Sequence, residues 1–373
     1  LTLNVKKPLY RKIADDFKRK ISRGELLPND PIPSQMELAQ IYSTSEMTIR
    51  KALAVLVDED FVIRIRKKGS FIKAFSGPQT SKALMNIPSP VKKVYFVHSH
   101  VRTGILYQQL YMSMLTGIEQ VCAKYNLDFS ILDIGDSPLL PNDTEAGYIL
   151  FALLNTRQSK MTDTMEQWKR EKKYLVTIQF YVPDLEIPNV AGDNMAGGYM
   201  AAKHLLDLGH KRIGIILTGK SIVELNMEFS LRLQGYRMAL DNYSISYDPD
   251  LVWVKEALEE TWESGYEGFM ALMKQPQPPT ALFVTSDYKA LGALKAAGDL
   301  GLRVPQDISI MGYDGHPAGQ WSIPRLTSVD QNMLLFGIQA AEILIKHPGG
   351  SHPGSIIAPR LILRESTAPL AQE

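Results

Sequence analysis

PSQMELAQIYSTSEMTIRKALAVLVDEDFVIRIRKKGSFI, residues 33–72, places two short helical patterns and a basic hairpin within forty residues. Ser34 is positioned as an N-cap with Glu37 as its capping-box partner, which predicts a short helix to about Tyr42. A polar turn, Ser43-Thr44-Ser45, precedes a second helix with Ile49, Leu53 and Leu56 inward and Thr48, Arg50 and Lys51 elsewhere around it. FVIRI and SFIKAF then read as two strands joined by Arg66-Lys67-Lys68-Gly69, a basic wing suited to backbone phosphates. Upstream, Leu9, Ile13, Phe17 and Ile21 form one helical stripe, Gly24 marks its stop, and Pro31 and Pro33 enforce an extended turn. Two short helices across a tight turn imply a helix-turn-helix whose second helix lies in the major groove of duplex DNA.

Charge supports that placement. Residues 1–75 carry 15 Lys and Arg against 9 Asp and Glu, a net of +6, leaving 26 against 31 and a net of −5 in the remainder. A basic head on an acidic body implies a polyanionic partner at one end only. The whole chain of 373 residues, 45% hydrophobic and 22% charged, has the composition of a globular protein with two or three domains. No run of eighteen apolar residues and no signal-type stretch occurs, so the expectation is a cytoplasmic protein, neither exported nor membrane-bound. The lone Cys122 excludes an intrachain disulfide, and a start at Leu1 implies that native N-terminal residues are missing.

The expected layout is a head over 1–75, a linker over 76–90 and a body over 91–373. The linker contains Gly77, Pro78, Pro88 and Pro90 without sustained periodicity. In the body, strand-like runs such as VKKVYFVHSH, KYLVTIQF, KRIGIILTG and TALFVTSD alternate with helical patterns over 105–125, 194–208, 227–242 and 288–300. Such alternation predicts an α/β body of doubly wound parallel sheets. About ten units exceed one open sheet, so two lobes are expected, with a ligand at the carboxyl ends of the strands facing the cleft.

Residues 8–73 are similar to the winged helix-turn-helix of the GntR family. The resemblance is carried by Pro8-Leu9-Tyr10, Ile13, Ile21, Gly24 and Leu26, by Pro33-Ser34, by Thr48-Ile49-Arg50-Lys51-Ala52-Leu53 and by Gly69-Ser70-Phe71. It implies DNA contacts from Ser34, Gln35, Ser45, Thr48 and Arg50, with Arg66, Lys67 and Gly69 at the wing. Met36 and Glu46 depart from the family's basic positions, so its operator sequence does not transfer.

VAGDNMAGGYMAAKHLLDLGHKRIGII (190–216), RLQGY (232–236), SDYKALGALKAAGDLGLRVPQDISIMGYDG (286–315), PRLTSVDQN (324–332) and LILREST (361–367) resemble the effector domain of the LacI/GalR family. That resemblance implies a periplasmic-binding-protein-like fold, with an N-lobe near 91–185 plus 317–346 and a C-lobe near 188–312 plus 347–367. A GntR-type head on a LacI-type body is an arabinose-repressor-like architecture. It implies a homodimeric repressor of double-stranded operator DNA, controlled by a small molecule.

For the effector, the resemblance places Arg232, Asp314 and Gln331 on the ligand, with Ser286 at another strand end and Asp287 capping the helix that follows. A guanidinium and a carboxylate converging in a cleft suit a polyhydroxylated ligand, although the residues alone fit a structural ion pair equally well. His98 and His100 alternate on a strand end and are assigned to hydrogen bonding at the rim, because a third metal ligand at plausible spacing is absent. The family's stacking aromatic ahead of Ser264-Gly265 is replaced by Glu260, which disfavours a purine and favours a sugar; Phe180, Phe151 and Trp253 are candidate replacements. No cofactor is expected. Two other readings are a GntR-headed enzyme and a sugar receptor without regulatory DNA binding. The first lacks a Walker A loop, a G-x-S-x-G elbow or an H-E-x-x-H pair, and the basic head opposes the second.

Overall fold

The computed structural model describes residues 8–22, 26, 32–59, 61–65, 69–72, 89–99, 105–135, 139–151, 158–256, 260–349, 352 and 354–370. The chain divides into two units, Leu1–Pro88 and Ser89–Glu373. The linker, the wing tip with Arg66 and Lys67, and His100 lie outside the described residues.

The first unit holds α1 (Leu9–Ser22), α2 (Gln35–Ile41), α3 (Glu46–Asp58), β1 (Val62–Ile65) and β2 (Gly69–Ile72). The capping box forms as the sequence implies: the Glu37 N–H donates to Ser34 Oγ at 3.2 Å, and the Ser34 N–H donates to Glu37 Oε2 at 2.7 Å. Ser45 caps α3 by accepting from the Thr48 N–H. Ile49, Leu53 and Leu56 are buried against Ile13 and Phe17 of α1. Leu9 is exposed, contrary to the four-residue stripe expected, because Ala14 beside Ile13 and Phe17 completes the buried face. β1 and β2 pair antiparallel from Val62↔Ile72 to Ile65↔Gly69. The Tyr42 hydroxyl donates to Asp16 Oδ2 at 2.7 Å, and Lys20 lies 3.0 Å from the same oxygen, tying α1 to the end of α2.

The second unit begins with β3 (Lys93–His98), α4 (Ile105–Tyr125), β4 (Asp128–Asp133), β5 (Ala146–Phe151), α5 (Gln158–Arg170), β6 (Tyr174–Ile178) and β7 (Asn189–Gly192). It continues with α6 (Asn194–Asp207), β8 (Ile213–Gly219), α7 (Met227–Asn242), β9 (Val252–Glu256), α8 (Trp262–Met273), β10 (Ala281–Val284), α9 (Asp287–Asp299), β11 (Ser309–Asp314) and β12 (Thr327–Asp330). α10 (Met333–Lys346), β13 (Ser355–Ile357) and β14 (Arg360–Ile362) end it. Two six-stranded sheets result, in the orders β13-β7-β6-β5-β3-β4 and β14-β12-β11-β10-β8-β9. All pairs are parallel except β12 with β14. Central strands β5, β8 and β10 are buried along their length, as sheets covered on both faces require.

The lobe boundaries differ from those expected. β7 stays in the first sheet, paired with β6 through Thr177↔Asn189, so the chain crosses after it and not before. β12 belongs to the second sheet, beside β11, although residues 317–346 were assigned to the first lobe. The last two strands split between lobes: β13 pairs with β7 and β14 with β12. Hydrophobicity shows where a strand is, not which edge accepts its backbone.

Helix pairs α4 with α10, α6 with α7, and α8 with α9 are the closest in the body, and each is crossed by a glycine from both sides. A Cβ on Gly198 would lie 2.1 Å from the Arg232 carbonyl oxygen, and one on Gly235 2.1 Å from that of Met195. Gly265 and Gly292 stand in the same relation to the carbonyls of Lys289 and Trp262, at 1.8 Å each. Gly298, exposed near the end of α9, has nothing within 4 Å. Gly198→Ala is therefore expected to destabilise the body by about 1–3 kcal/mol through overpacking. Gly298→Ala should stabilise it by about 0.5–1 kcal/mol by reducing unfolded-state freedom. Thermal unfolding of the two variants checks the contrast, and equal shifts would refute it.

Candidate functional site

In the head, α3 presents an exposed flank beside the turn. Ser45 Oγ and Thr48 Oγ1 are 2.9 Å apart, and Arg50 Nε donates to Gln35 Oε1 at 3.4 Å. Gln35, Ser45, Thr48 and Arg50 are thus brought to adjoining ends of α2 and α3, with Ser45 and Arg50 exposed and Gln35 and Thr48 partly so. Ser34 is exposed, but its hydroxyl is engaged in the cap. Gly69 opens β2, and Glu46 and Met47 are exposed in the first turn of α3.

In the body, a cavity of about 120 Å³ lies between the lobes. Leu110, Phe151, Gln179 and Met333 line it from the first lobe, and Phe229, Arg232, Glu260 and Asp314 from the second. Asn194 and Gln331, just after β7 and β12, complete its polar wall. Arg232 is buried on α7. Its Nε donates to Asn194 Oδ1 at 2.9 Å and its Nη1 to the Thr285 carbonyl at 2.5 Å, and its guanidinium sits 3.7 Å from the Tyr313 ring centroid. Asp314 Oδ1 lies 3.8 Å from Arg232 Nη1 and accepts from Gln331 Nε2 at 2.7 Å. Gln179 reaches from the first lobe to donate to Gln331 Oε1 at 3.5 Å.

Burial lifts the Asp314 carboxyl to about 7; the Arg232 guanidinium opposes that rise and the Glu260 carboxylate adds to it. Asp314 also holds φ at +116°, a strained value for a side-chain-bearing residue. The surrounding bonds enforce it. Asp287 accepts the His316 N–H at 2.6 Å and the Ser328 hydroxyl at 2.7 Å, and Ser328 Oγ in turn accepts the Gly315 N–H.

Five assignments change. Ser286 does not line the cavity; it is the N-cap of α9, accepting from the Lys289 N–H. Asp287, expected to be that cap, is instead the buried clamp on the β11 exit, and burial raises its carboxyl well above the usual range. Phe180 packs into the first lobe's core with Tyr148 and Trp168, while Phe151 and Phe229 supply the rings at the cavity. Trp253 packs over Gly268 instead. His98 is also off the cavity wall: it ends β3 beside edge strand β4, its Nδ1 3.8 Å from Asp133 Oδ1, and burial lowers its pKa. Among the described residues no three His, Cys, Asp or Glu are grouped to hold a metal ion, and no helix is long and apolar enough to cross a membrane.

Sequence reasoning missed Asn194, Gln179 and above all Lys289. Lys289 is wholly buried on α9, and its Nζ lies 2.7 Å from Glu260 Oε1, 3.1 Å from Thr218 Oγ1 and 3.0 Å from Thr285 Oγ1. A lysine in a helix's first turn reads as solvated; the signal available was the polar Thr218 and Thr285 at the ends of otherwise apolar strands.

Comparison with known proteins agrees with this geometry. Residues 9–72 match the bacterial regulatory proteins of the gntR family, and residues 202–367 match the periplasmic binding protein-like domain. The ribose operon repressor of Haemophilus influenzae is 32% identical over 301 residues, covering 75% of this chain and 85% of that protein. The transcriptional repressor PurR of Histophilus somni is 28% identical, covering 83% and 95%. A LacI family transcriptional regulator from Mycobacterium smegmatis superposes with a TM-score of 0.62 at 25% identity, over 75% of this chain and all of that one. One from Enterococcus faecium with bound ribose does so at 0.62 and 24% identity, over the same shares. With a gntR-type reading head ahead of two parallel-sheet lobes, the chain belongs to the LacI family of transcriptional repressors.

Proposed function

We propose that this protein is a cytoplasmic, homodimeric repressor that binds operator DNA through its winged head and is controlled by a sugar held in the interlobe cavity. The observation that carries the reading is the cavity itself: Arg232, Asp314 and Gln331, all buried, converge in a cleft also lined by Leu110, Phe151 and Met333. Polar edges and apolar faces in one pocket match the two kinds of surface a sugar offers. The bound ribose in the Enterococcus faecium regulator supports the same ligand class.

At the head, Gln35, Ser45, Thr48 and Arg50 take the base-reading role, with Ser34 near the backbone and Arg66, Lys67 and Gly69 forming the wing. Glu46 would accept from a cytosine N4, and exposed Met36 and Met47 would meet thymine methyls. Paired half-sites about one DNA turn, roughly 34–36 Å, apart require a second copy. Trp321 and Ile323 are 83% and 96% exposed, an apolar pair whose exposure in a monomer calls for a covering surface, which we assign to that copy.

Arg50→Ala in the full chain is expected to weaken binding to a selected operator by about 1–3 kcal/mol and to relax specificity at one base position. The affinity of the unaltered protein should fall with salt, by a log–log slope of roughly −0.9 per phosphate neutralised. Fluorescence anisotropy measures both; a flat salt response defeats the DNA-binding reading. In the same assay, neutral pentoses and hexoses are titrated onto the complex. A sugar that shifts retention supports control by the cavity, and a panel without effect removes it. Trp321→Glu with Ile323→Glu should halve the mass seen in sedimentation; an unchanged mass places the interface elsewhere.

A further inference from the structure

Behind the cavity wall, the Lys289 ammonium donates to the hydroxyls of Thr218 and Thr285 and forms an ion pair with Glu260, 2.7 Å from its Oε1. The ammonium also sits 4.1 Å from the Phe229 ring centroid. Wholly buried and off the cavity lining, it bears on a ligand through its partner. Glu260 is different: its side chain keeps 21% of its surface exposed and lines the cavity. Among the described residues the cavity wall therefore carries three carboxylates, those of Glu228, Glu260 and Asp314, against one guanidinium. That guanidinium already serves Asn194 and the Thr285 carbonyl.

We infer that Glu260 is a specificity-determining acceptor, held in place by Lys289, and that it restricts the cavity to neutral, hydroxyl-rich ligands while rejecting sugar acids and sugar phosphates. This rests on the effector reading above and narrows it. Hydroxyls donate to Glu260 and Asp314, and the ligand's C–H face lies on Leu110, Phe151 and Met333. An anionic group would meet an acceptor-rich wall, where burial strengthens the repulsion. Lys289 is a positioning residue. Without it Glu260 would face Asp314 with no opposing ammonium, and two close carboxylates resist joint ionisation.

Calorimetric titration of the full chain with neutral pentoses and hexoses, their aldonic acids and their phosphate esters tests this. The expected result is a neutral sugar that binds at least tenfold more tightly than its acid or ester. Glu260→Leu with Lys289→Met removes both charges together and so leaves no unpaired buried ion. It should unfold near the wild-type temperature yet bind that sugar at least tenfold more weakly. Lys289→Met alone supplies the readout that a merely structural lysine would not move. Asp314 faces Arg232, Glu260, Lys289 and Asp287, and among these the Arg232 guanidinium and then the Lys289 ammonium favour its ionised form. Loss of that ammonium should shift the pH midpoint of sugar affinity upward. Tighter binding of an acid or ester overturns the inference, as does a double variant that binds the sugar as wild type, or an unmoved midpoint; in each case the effector reading stands. Failure of every compound to bind overturns both.

Discussion

Arg232 and Lys289, buried cations in and behind the cavity wall, are both fixed by helix crossings that admit no side chain between them. Gly198 of α6 lies on the carbonyl of Arg232, and Gly265 of α8 lies on the carbonyl of Lys289. Each crossing is reciprocated, by Gly235 over Met195 and by Gly292 over Trp262. Direct backbone contact leaves little slack, so the roots of both long side chains are set before any ligand arrives. The polar atoms that receive their charged ends then come from strand termini: Thr218 near the end of β8, Thr285 after β10, Asp314 at the end of β11. Close-packed helices and parallel strands thus determine where charge sits in an otherwise dry interior.

Burying so many ionisable groups is tolerable only when each is matched. Arg232 has Asn194, Thr285 and the face of Tyr313, and Lys289 has Glu260 and two hydroxyls. Asp314 has Gln331 and a neighbouring guanidinium, yet remains the least comfortable member: its backbone is strained and burial holds its carboxyl near 7. Strain concentrated on one residue at a cavity wall is a feature of sites built to receive something.

Much of this was legible in the sequence. Ser34 with Glu37, and Ile49 with Leu53 and Leu56, determined the head because capping and helical spacing are local properties. The body's helices followed from periodicity nearly to the residue, as at 227–242. What failed was non-local. Nothing in residues 189–192 reveals that they pair with β6 and β13 in the first lobe, because either sheet would accept the same apolar pattern. Ser286 took the capping role expected of Asp287 because either can cap a helix, and only the position of Ser328, forty-odd residues away, shows that the carboxylate is needed elsewhere. Lys289 escaped because a charged residue in an exposed-looking turn gives no sign that another helix and two strand ends enclose it.

The uneven division of strands between the sheets has a mechanical corollary. Among the described residues the chain passes from one lobe to the other three times, between β7 and α6, between β12 and α10, and between β13 and β14. Three side-by-side spans resist shear and twist, and leave bending about a single line as the easiest relative movement. Gly192 and Asn194 flank the first span and Gln331 lies in the second, and all three also line the cavity. Whatever settles there rests on the pivots themselves, so occupancy and lobe angle become one variable instead of two.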